Sequence, residues 1–420
     1  MWRDEAQKWL IATNLDFFQI LDFLRYEGHP FLWYLLLYFL KLLGCSYESV
    51  KILNWIILSI GICIFYYKSP FPFWFKTFFI FSSLIAFEYA AISINYGIVV
   101  TLIFALAWCY PERHQRPILY SILLFLLYHS HVMAFAFSLG LTLIFILEVI
   151  EKKLDKRNQL AAVLMFVAAI SLMYSLVNPS DSAILSADGP SISFDILLKG
   201  FIKVCDSTFW IFKLIFPWFV GFPLIIIGVL CIKKLNLKLL VLSCLVYYFL
   251  VNEYIYGMFF RHYGFVFCFF LFAWWQSENE KDMEYSLPRI KKYYYILITI
   301  LLFHSSFFSI RLYQNEFKFP FSGSKDCATF INKQQWSDSV VLIGYPAHTF
   351  SAVLPYLDHP NPFWQPEVKR FGTYLKWDKE WYSNYYLSTE EVLSRVYQKF
   401  EKQDSMYLII SKDFYIFKLE

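Results

Sequence analysis

Charge is scarce in this chain. Asp, Glu, Lys and Arg together make up 17% of its 420 residues, against 58% hydrophobic and 22% aromatic, whereas soluble domains carry about a quarter charged and about half apolar residues. That shortage excludes an ordinary soluble globule and reads as an integral membrane protein. Paired cysteines are also lacking: the eight cysteines form no CxxC, and Cys63, Cys109, Cys231, Cys244 and Cys268 lie in apolar runs, where Cys packs as a small hydrophobe. Neither a disulfide framework nor a zinc site is indicated, and Cys327 is a lone thiol without a mechanism. A phosphate-binding loop is missing too, since Gly344-Tyr345-Pro346 lacks the glycines and lysine such a loop needs. No internal repeat is present.

What remains is a succession of apolar runs. Ile52 to Tyr67, Gly97 to Tyr110, Leu160 to Val177 and Phe209 to Ile232 are nearly uncharged, at lengths suited to about 30 Å of hydrocarbon at a rise of about 1.5 Å per residue. Lys and Arg collect in Arg113 to Arg116, Lys152 to Arg157, Lys233 to Lys238 and Lys281 to Lys292, while the turns at Tyr128 to Val132, Asn178 to Phe194 and Val251 to Tyr256 hold almost none. Basic loops are retained on the cytoplasmic side. The pattern therefore predicts ten spans near 51–67, 76–92, 96–110, 117–129, 131–150, 159–177, 209–232, 238–252, 256–275 and 292–310, with both chain ends outside the cytoplasm. The net charge of +4 is accounted for by this placement, and a nucleic-acid partner has little support.

Residues 1–30 are too polar to span and show no signal-peptide pattern, but Trp9, Leu10, Phe17, Phe18, Ile20, Leu21 and Leu24 recur at helical spacing. A helix over Glu5 to Arg25, lying along the interface with its apolar side down, is expected. Phe31 to Leu43 is short for a crossing and reads as a re-entrant or interfacial helix, or a tilted half-span. After Ile310 apolar density falls. A small α/β domain over 311–420 is expected outside, following a helical membrane domain over 1–310 whose first 50 residues form an outer loop. Its elements are a helix introduced by Ser322-Gly323-Ser324-Lys325 and running to Asn332, a strand at Val340 to Tyr345, a helix opened by Ser388-Thr389-Glu390-Glu391 and running to about Lys402, and a strand at Met406 to Ser411.

Under this topology one membrane face collects the candidate chemistry. It receives Asp4, Glu5, Glu27 and His29 from the N-terminal segment, then Glu88, Tyr89, Asn95 and Tyr96, then His129 and His131, and finally Arg261 and His262. Ionisable groups are costly beside hydrocarbon, so their clustering marks a site. The paired carboxylates Asp4 and Glu5 suit deprotonation of a hydroxyl or holding a cation. Arg261 at lipid level suits a phosphate, whether of a lipid or of a donor. Each has a bland alternative: Asp4-Glu5 is favoured at a helix start by the dipole, His29-Pro30 suits a cap, Glu88 suits headgroup solvation, and His129 with His131 lacks a third metal ligand nearby. The aromatic abundance reads mostly as membrane belt and lipid-facing surface rather than a sugar platform.

Trp2-Arg3-Asp4-Glu5-Ala6, then Glu27-Gly28-His29-Pro30 with Leu32-Trp33-Tyr34-Leu35-Leu36-Leu37, resembles the first outer loop of GT-C glycosyltransferases. The similarity is to the protein O-mannosyltransferase and aminoarabinose-transferase-like branch. Glu88-Tyr89-Ala90 and Asn95-Tyr96-Gly97 resemble its Glu-x-x-x-Tyr segment, and Arg261-His262 is similar to its late Arg-Tyr element. The resemblance covers residues 1 to about 275 by order and spacing.

It implies an all-α polytopic GT-C-like bundle with a small α/β appendage, and an enzyme that moves a sugar from a polyprenyl-phosphate carrier to a hydroxyl of a lipid, glycan or protein. Asp4 is then the expected general base, with Glu5 orienting it or the acceptor. Arg261 with His262 is expected on the donor phosphate; Glu27, His29, Glu88, Tyr89, Asn95, Tyr96, His129 and His131 are expected to line the substrate cleft. The expected partners are the donor, an unidentified acceptor and the bilayer of a bacterial-type plasma membrane. No cofactor is implied, and a divalent metal stays open. Two departures stand out: the family precedes the acidic loop with a span, whereas Met1 lies three residues before Asp4, and Phe31 replaces a second proline. The rival readings are a flippase for lipid-linked saccharides and a non-catalytic subunit of envelope assembly.

Overall fold

The computed structural model describes residues 3–183, 194–212, 217–255, 257–280, 283–284, 287–319, 321–334, 336, 340–359, 361–400, 406–410 and 415–419. Trp2, most of the 178–194 turn, Tyr256, Lys281, Lys402 and Ser411 lie outside the described residues. The chain forms two compact units, one of Met1–Val50, Leu176–Ser186 and Glu316–Glu420, the other of Lys51–Ser175 and Ala187–Asn315.

The first unit begins with α1 (Arg3–Asn14), α2 (Phe17–Glu27) and α3 (Leu32–Leu42). The single helix expected over Glu5 to Arg25 is in fact two. Asp16 sits in extended geometry (φ −80°, ψ 171°), and its carboxylate accepts from the Gln19 amide while the Gln19 side chain accepts from the Asp16 amide. That reciprocal capping box starts a new helix by satisfying amides that a continuous helix would not leave open. Gly28 ends α2 in the left-handed region (φ 64°), where a side chain would be strained. Nor does α1 lie with only one side covered. Glu5 to Ala12 are all buried, Leu10 packs with Phe350, Phe363 and Ile409, and Ile11 packs with Ile20, Leu24 and Tyr34.

The second unit holds most of α4 (Ser49–Lys68), then α5 (Phe73–Ile80), α6 (Tyr96–Cys109), α7 (Pro117–Tyr128), α8 (Phe135–Glu151) and α9 (Lys156–Ser175). It continues with α10 (Phe194–Ser207), α11 (Trp218–Leu230), α12 (Leu235–Tyr254), α13 (Phe260–Asn279) and most of α14 (Pro288–Lys318). Among the described residues, five helical stretches are long and apolar enough to cross a membrane: Ser49–Lys68, Val132–Glu151, Lys156–Ser175, Leu235–Tyr254 and Pro288–Lys318. Their outer faces carry exposed apolar residues such as Ile56, Phe166 and Ile300, as lipid contact requires. By contrast His262 to Ser277 of α13 are buried on every side, which makes α13 an interior helix of this unit.

Two expected spans are interrupted. The run over 76–92 breaks at Ser82 (ψ 153°), after which Ser83 to Tyr89 form a π-helical turn; the Ser83 amide donates to the Ser305 hydroxyl at 3.0 Å instead of continuing the ladder. The run over 209–232 breaks too, because α11 starts only after Pro217 and a 3-10 turn occupies Trp210 to Phe212. Helix α10 was not expected. Among α7, α8 and α9, Arg113 binds Glu148 in a bidentate pair at 2.9 and 2.6 Å, and His114 shares the same carboxylate. One loop cation is thus a structural clamp.

The first unit resumes with α15 (Ser324–Lys333), β1 (Val341–Tyr345), α16 (Ala347–Phe350), β2 (Phe363–Gln365), β3 (Arg370–Gly372), α17 (Lys379–Ser383), α18 (Thr389–Phe400), β4 (Met406–Ile410) and β5 (Tyr415–Leu419). The sheet order is β3-β2-β1-β4-β5. β1 is parallel to both neighbours, in register Ile343 with Trp364 and Val341 with Met406, and the edge strands are antiparallel. The expected helix and strand at 324–332 and 340–345, and the helix from Ser388, fall within one or two residues of α15, β1 and α18. The short strands β2 and β3 carried too few residues to be read from periodicity.

Candidate functional site

In the first unit the start of α1 gathers charge. Arg3 pairs with Asp4 through Nε at 3.2 Å, and both side chains stay partly open to solvent, 41% and 44% exposed. Burial works against ionisation of Asp4, but the charges of Arg3 and Lys8 and the Arg3 hydrogen bond prevail and hold the carboxyl below its usual range. Lys8, one helical turn on, is 3% exposed. Burial depresses its ammonium, opposed by the charges of Asp4, Glu27 and Glu5.

Glu27 comes in from the end of α2. Its Oε1 accepts from Gln7 Nε2 at 3.0 Å and its Oε2 from the Tyr34 hydroxyl at 3.1 Å. Burial raises its carboxyl, partly offset by those two hydrogen bonds and by Lys8. His29 lies near enough for its charge to act on Asp4. Glu5 takes another direction: it is 1% exposed, and its charge bears on Tyr47 and Tyr356. Of the two adjacent carboxylates only Asp4 is reachable.

His348, at the carboxyl end of β1, belongs to the same neighbourhood, since the charges of both Arg3 and Asp4 act on its imidazole. Burial, aided by Arg3, pushes it down to about 4, so it is neutral at pH 7. Gln7, Lys8, Tyr34 and His348 were not anticipated. Gln7 and Lys8 follow Asp4 at helical spacing, a readable signal; Tyr34 and His348 had none.

The second unit gathers a different set. Tyr96 Oη lies 3.1 Å from His262 Nε2, and the His131 ring is 5.6 Å from Tyr96 and 5.7 Å from His262. The Tyr89 hydroxyl donates to the Arg261 carbonyl at 2.9 Å, and Asn95 Nδ2 donates to the Ser130 carbonyl at 2.6 Å. Gly264 makes this packing possible, because a Cβ there would sit 2.5 Å from both Leu84 and the Tyr89 hydroxyl. Arg261 is half-buried, its guanidinium 5.4 Å from the Phe259 ring centre. Glu88 is half-buried on the π-helical turn. His129 Nε2 lies 2.9 Å from the Ser171 hydroxyl, while His131 Nδ1 accepts from the Met133 amide at 3.1 Å.

Beside this set, α4 exposes an apolar furrow of about 560 Å³ lined by Trp55, Ile56, Ile60 and Ile64. Trp55 and Asn54 donate to the carbonyls of Ala90 and Tyr89, at 2.8 and 2.9 Å, which ties the furrow to the turn carrying Tyr89.

No protein-family model, curated protein or solved structure matches the chain.

Proposed function

We propose that the protein is a multi-pass glycosyltransferase of a plasma membrane. It moves a sugar from a polyprenyl-phosphate donor to an acceptor hydroxyl on the outer side, with a GT-C-like helical bundle of about ten spans and an extracytoplasmic α/β part. The observation that carries the reading is the recessed but solvent-reachable carboxylate of Asp4, set among Arg3, Lys8, Glu27 and His29. In the reaction the acceptor oxygen attacks the anomeric carbon, its proton passes to the Asp4 carboxylate, and the bond from that carbon to the phosphate oxygen breaks. Arg3 and Lys8 keep Asp4 ionised, which a base needs before the step begins.

Considered by itself, the second unit carries residue types that suit a lipid phosphate and its chain. Arg261 and His262 suit the phosphate, and the furrow on α4 suits an isoprenoid chain. The test is transfer from a radiolabelled polyprenyl-phosphate sugar to a soluble alcohol by purified full-length protein and by Asp4→Asn. Loss of transfer with retained donor binding is expected for the variant. Equal transfer by both proteins rejects Asp4 as the base, and donor binding without transfer by either turns the reading towards a flippase.

A further inference from the structure

Starting beside Asp4, aromatic rings succeed one another across the α/β part of the first unit. The Arg3 guanidinium lies 5.8 Å from the Trp377 ring centre. Trp377 meets Trp381 at 4.7 Å, Trp381 meets Tyr385 at 5.0 Å, and Tyr385 meets Tyr386 at 4.4 Å. His348 stacks on Tyr385 at 5.2 Å with planes 19° apart. The series ends at the surface, with Tyr386 87% and Tyr382 67% exposed.

The same unit holds buried polar atoms without hydrogen-bond partners among the described residues. Glu367 is 1% exposed; its Oε1 accepts the Ala347 amide at 2.8 Å, while its Oε2 has no hydrogen-bond partner among the described residues. The same holds for His348 Nδ1 and for Nε1 of Trp381, itself 2% exposed. Buried polar atoms in native folds are nearly always satisfied. His348 and Glu367 follow the carboxyl ends of the parallel strands β1 and β2, the end of an α/β sheet where ligands bind, and the His348 ring lies 5.9 Å from Trp381.

We propose that this row of rings and these buried polar groups form a saccharide subsite that delivers the acceptor, so that the acceptor hydroxyl belongs to a glycan. The inference rests on the glycosyltransferase reading. Sugar rings present C–H faces that stack on aromatic rings, and hydroxyls that a carboxyl, an imidazole and an indole N–H can engage. Here Arg370 lies 3.6 Å from Asp378 and 3.9 Å from Glu380, and Lys376 is 3.0 Å from Asp181, so the carboxylates cancel the local cations.

The experiment uses full-length protein in nanodiscs of neutral lipid, without donor, titrated calorimetrically with cellopentaose, maltopentaose and chitopentaose. At least one should bind saturably, and Trp377→Ala and Tyr386→Ala should each weaken it about tenfold while Tyr385→Phe, which keeps the ring, changes it less than about twofold. Binding by none of the three, or binding that neither alanine variant changes, overturns the proposal. So does quenching of Trp377 fluorescence by brominated lipid, taken as wild type minus Trp377→Phe, because it puts the rings in the membrane interface. Saccharide binding without transfer sinks the enzymatic reading alone, and transfer to a soluble alcohol without saccharide binding sinks this inference alone.

Discussion

Gln7 and Leu375 exchange two hydrogen bonds across 368 residues of sequence: Gln7 Nε2 donates to the Leu375 carbonyl at 2.8 Å, and the Leu375 amide donates to Gln7 Oε1 at 3.0 Å. One amide side chain thus serves as a strand partner for a backbone segment and still donates to Glu27 at 3.0 Å. Gln7→Ala leaves a buried N–H and C=O without partners, a loss of about 1–3 kcal/mol for each unsatisfied group. Thermal unfolding of purified protein should show a clearly lowered midpoint, and an unchanged midpoint would mean that water replaces the pair without cost.

Asp4 titrates below the ordinary carboxylate range because Arg3 and Lys8 outweigh its burial. A depressed folded-state value means that the ionised form is favoured above the unfolded value and lost as pH falls through the folded one. Arg3→Gln removes the hydrogen bond and the nearest cation. The acid limb of the transfer rate should move to higher pH in that variant, and a pH profile superimposable on the wild type would remove Arg3 from the control of Asp4.

Glu367 has the opposite sign. Burial lifts its carboxyl to about 7 from the reference value of 4.5, so the folded state holds a proton that the unfolded chain releases. Stability from this group is complete below about pH 4.5 and declines as pH rises towards 7, by a total on the order of 3 kcal/mol. Glu367→Gln should flatten that decline in denaturant midpoints measured between those two limits. A slope equal to the wild type would place the titration elsewhere.

Gly264 allows Tyr89 and Leu84 to reach the start of α13. Gly264→Ala should force the Tyr89 hydroxyl off the Arg261 carbonyl and cost about 1–3 kcal/mol by overpacking. Donor binding should weaken in the variant, and Tyr89→Phe, which removes the same hydrogen bond without a clash, should weaken it less. Equal donor affinity in all three proteins would separate Arg261 placement from the Tyr89 contact.

Much of the helical framework was legible. Eight expected runs, those of α4, α6, α7, α8, α9, α12, α13 and α14, fall close to observed helices, because long uncharged stretches have few other ways to satisfy their backbone in hydrocarbon. The break at Asp16 was written in the sequence as Asp-x-x-Gln but was outweighed by the apolar spacing around it. The break at Ser82 was not written there, since it depends on Ser305, 223 residues away. For the site, the carboxylates at Asp4 and Glu27 and the residues at Tyr96 and His262 were visible as types, but which of them face solvent was not. Asp4 and Glu5 are chemically alike and adjacent, and only packing makes one accessible and buries the other.

The amino-acid order by itself determined that this chain contains membrane-length apolar helices and a polar, strand-bearing C-terminal part, because transfer free energy and periodicity are local properties. Tertiary structure alone decided that α1 joins the core of the α/β sheet and that Gln7, Glu27 and His348 share a neighbourhood with Asp4. The packing of Leu10 against Phe350 and Phe363 and the Gln7–Leu375 hydrogen bonds join residues hundreds of positions apart, a condition that no window of sequence contains.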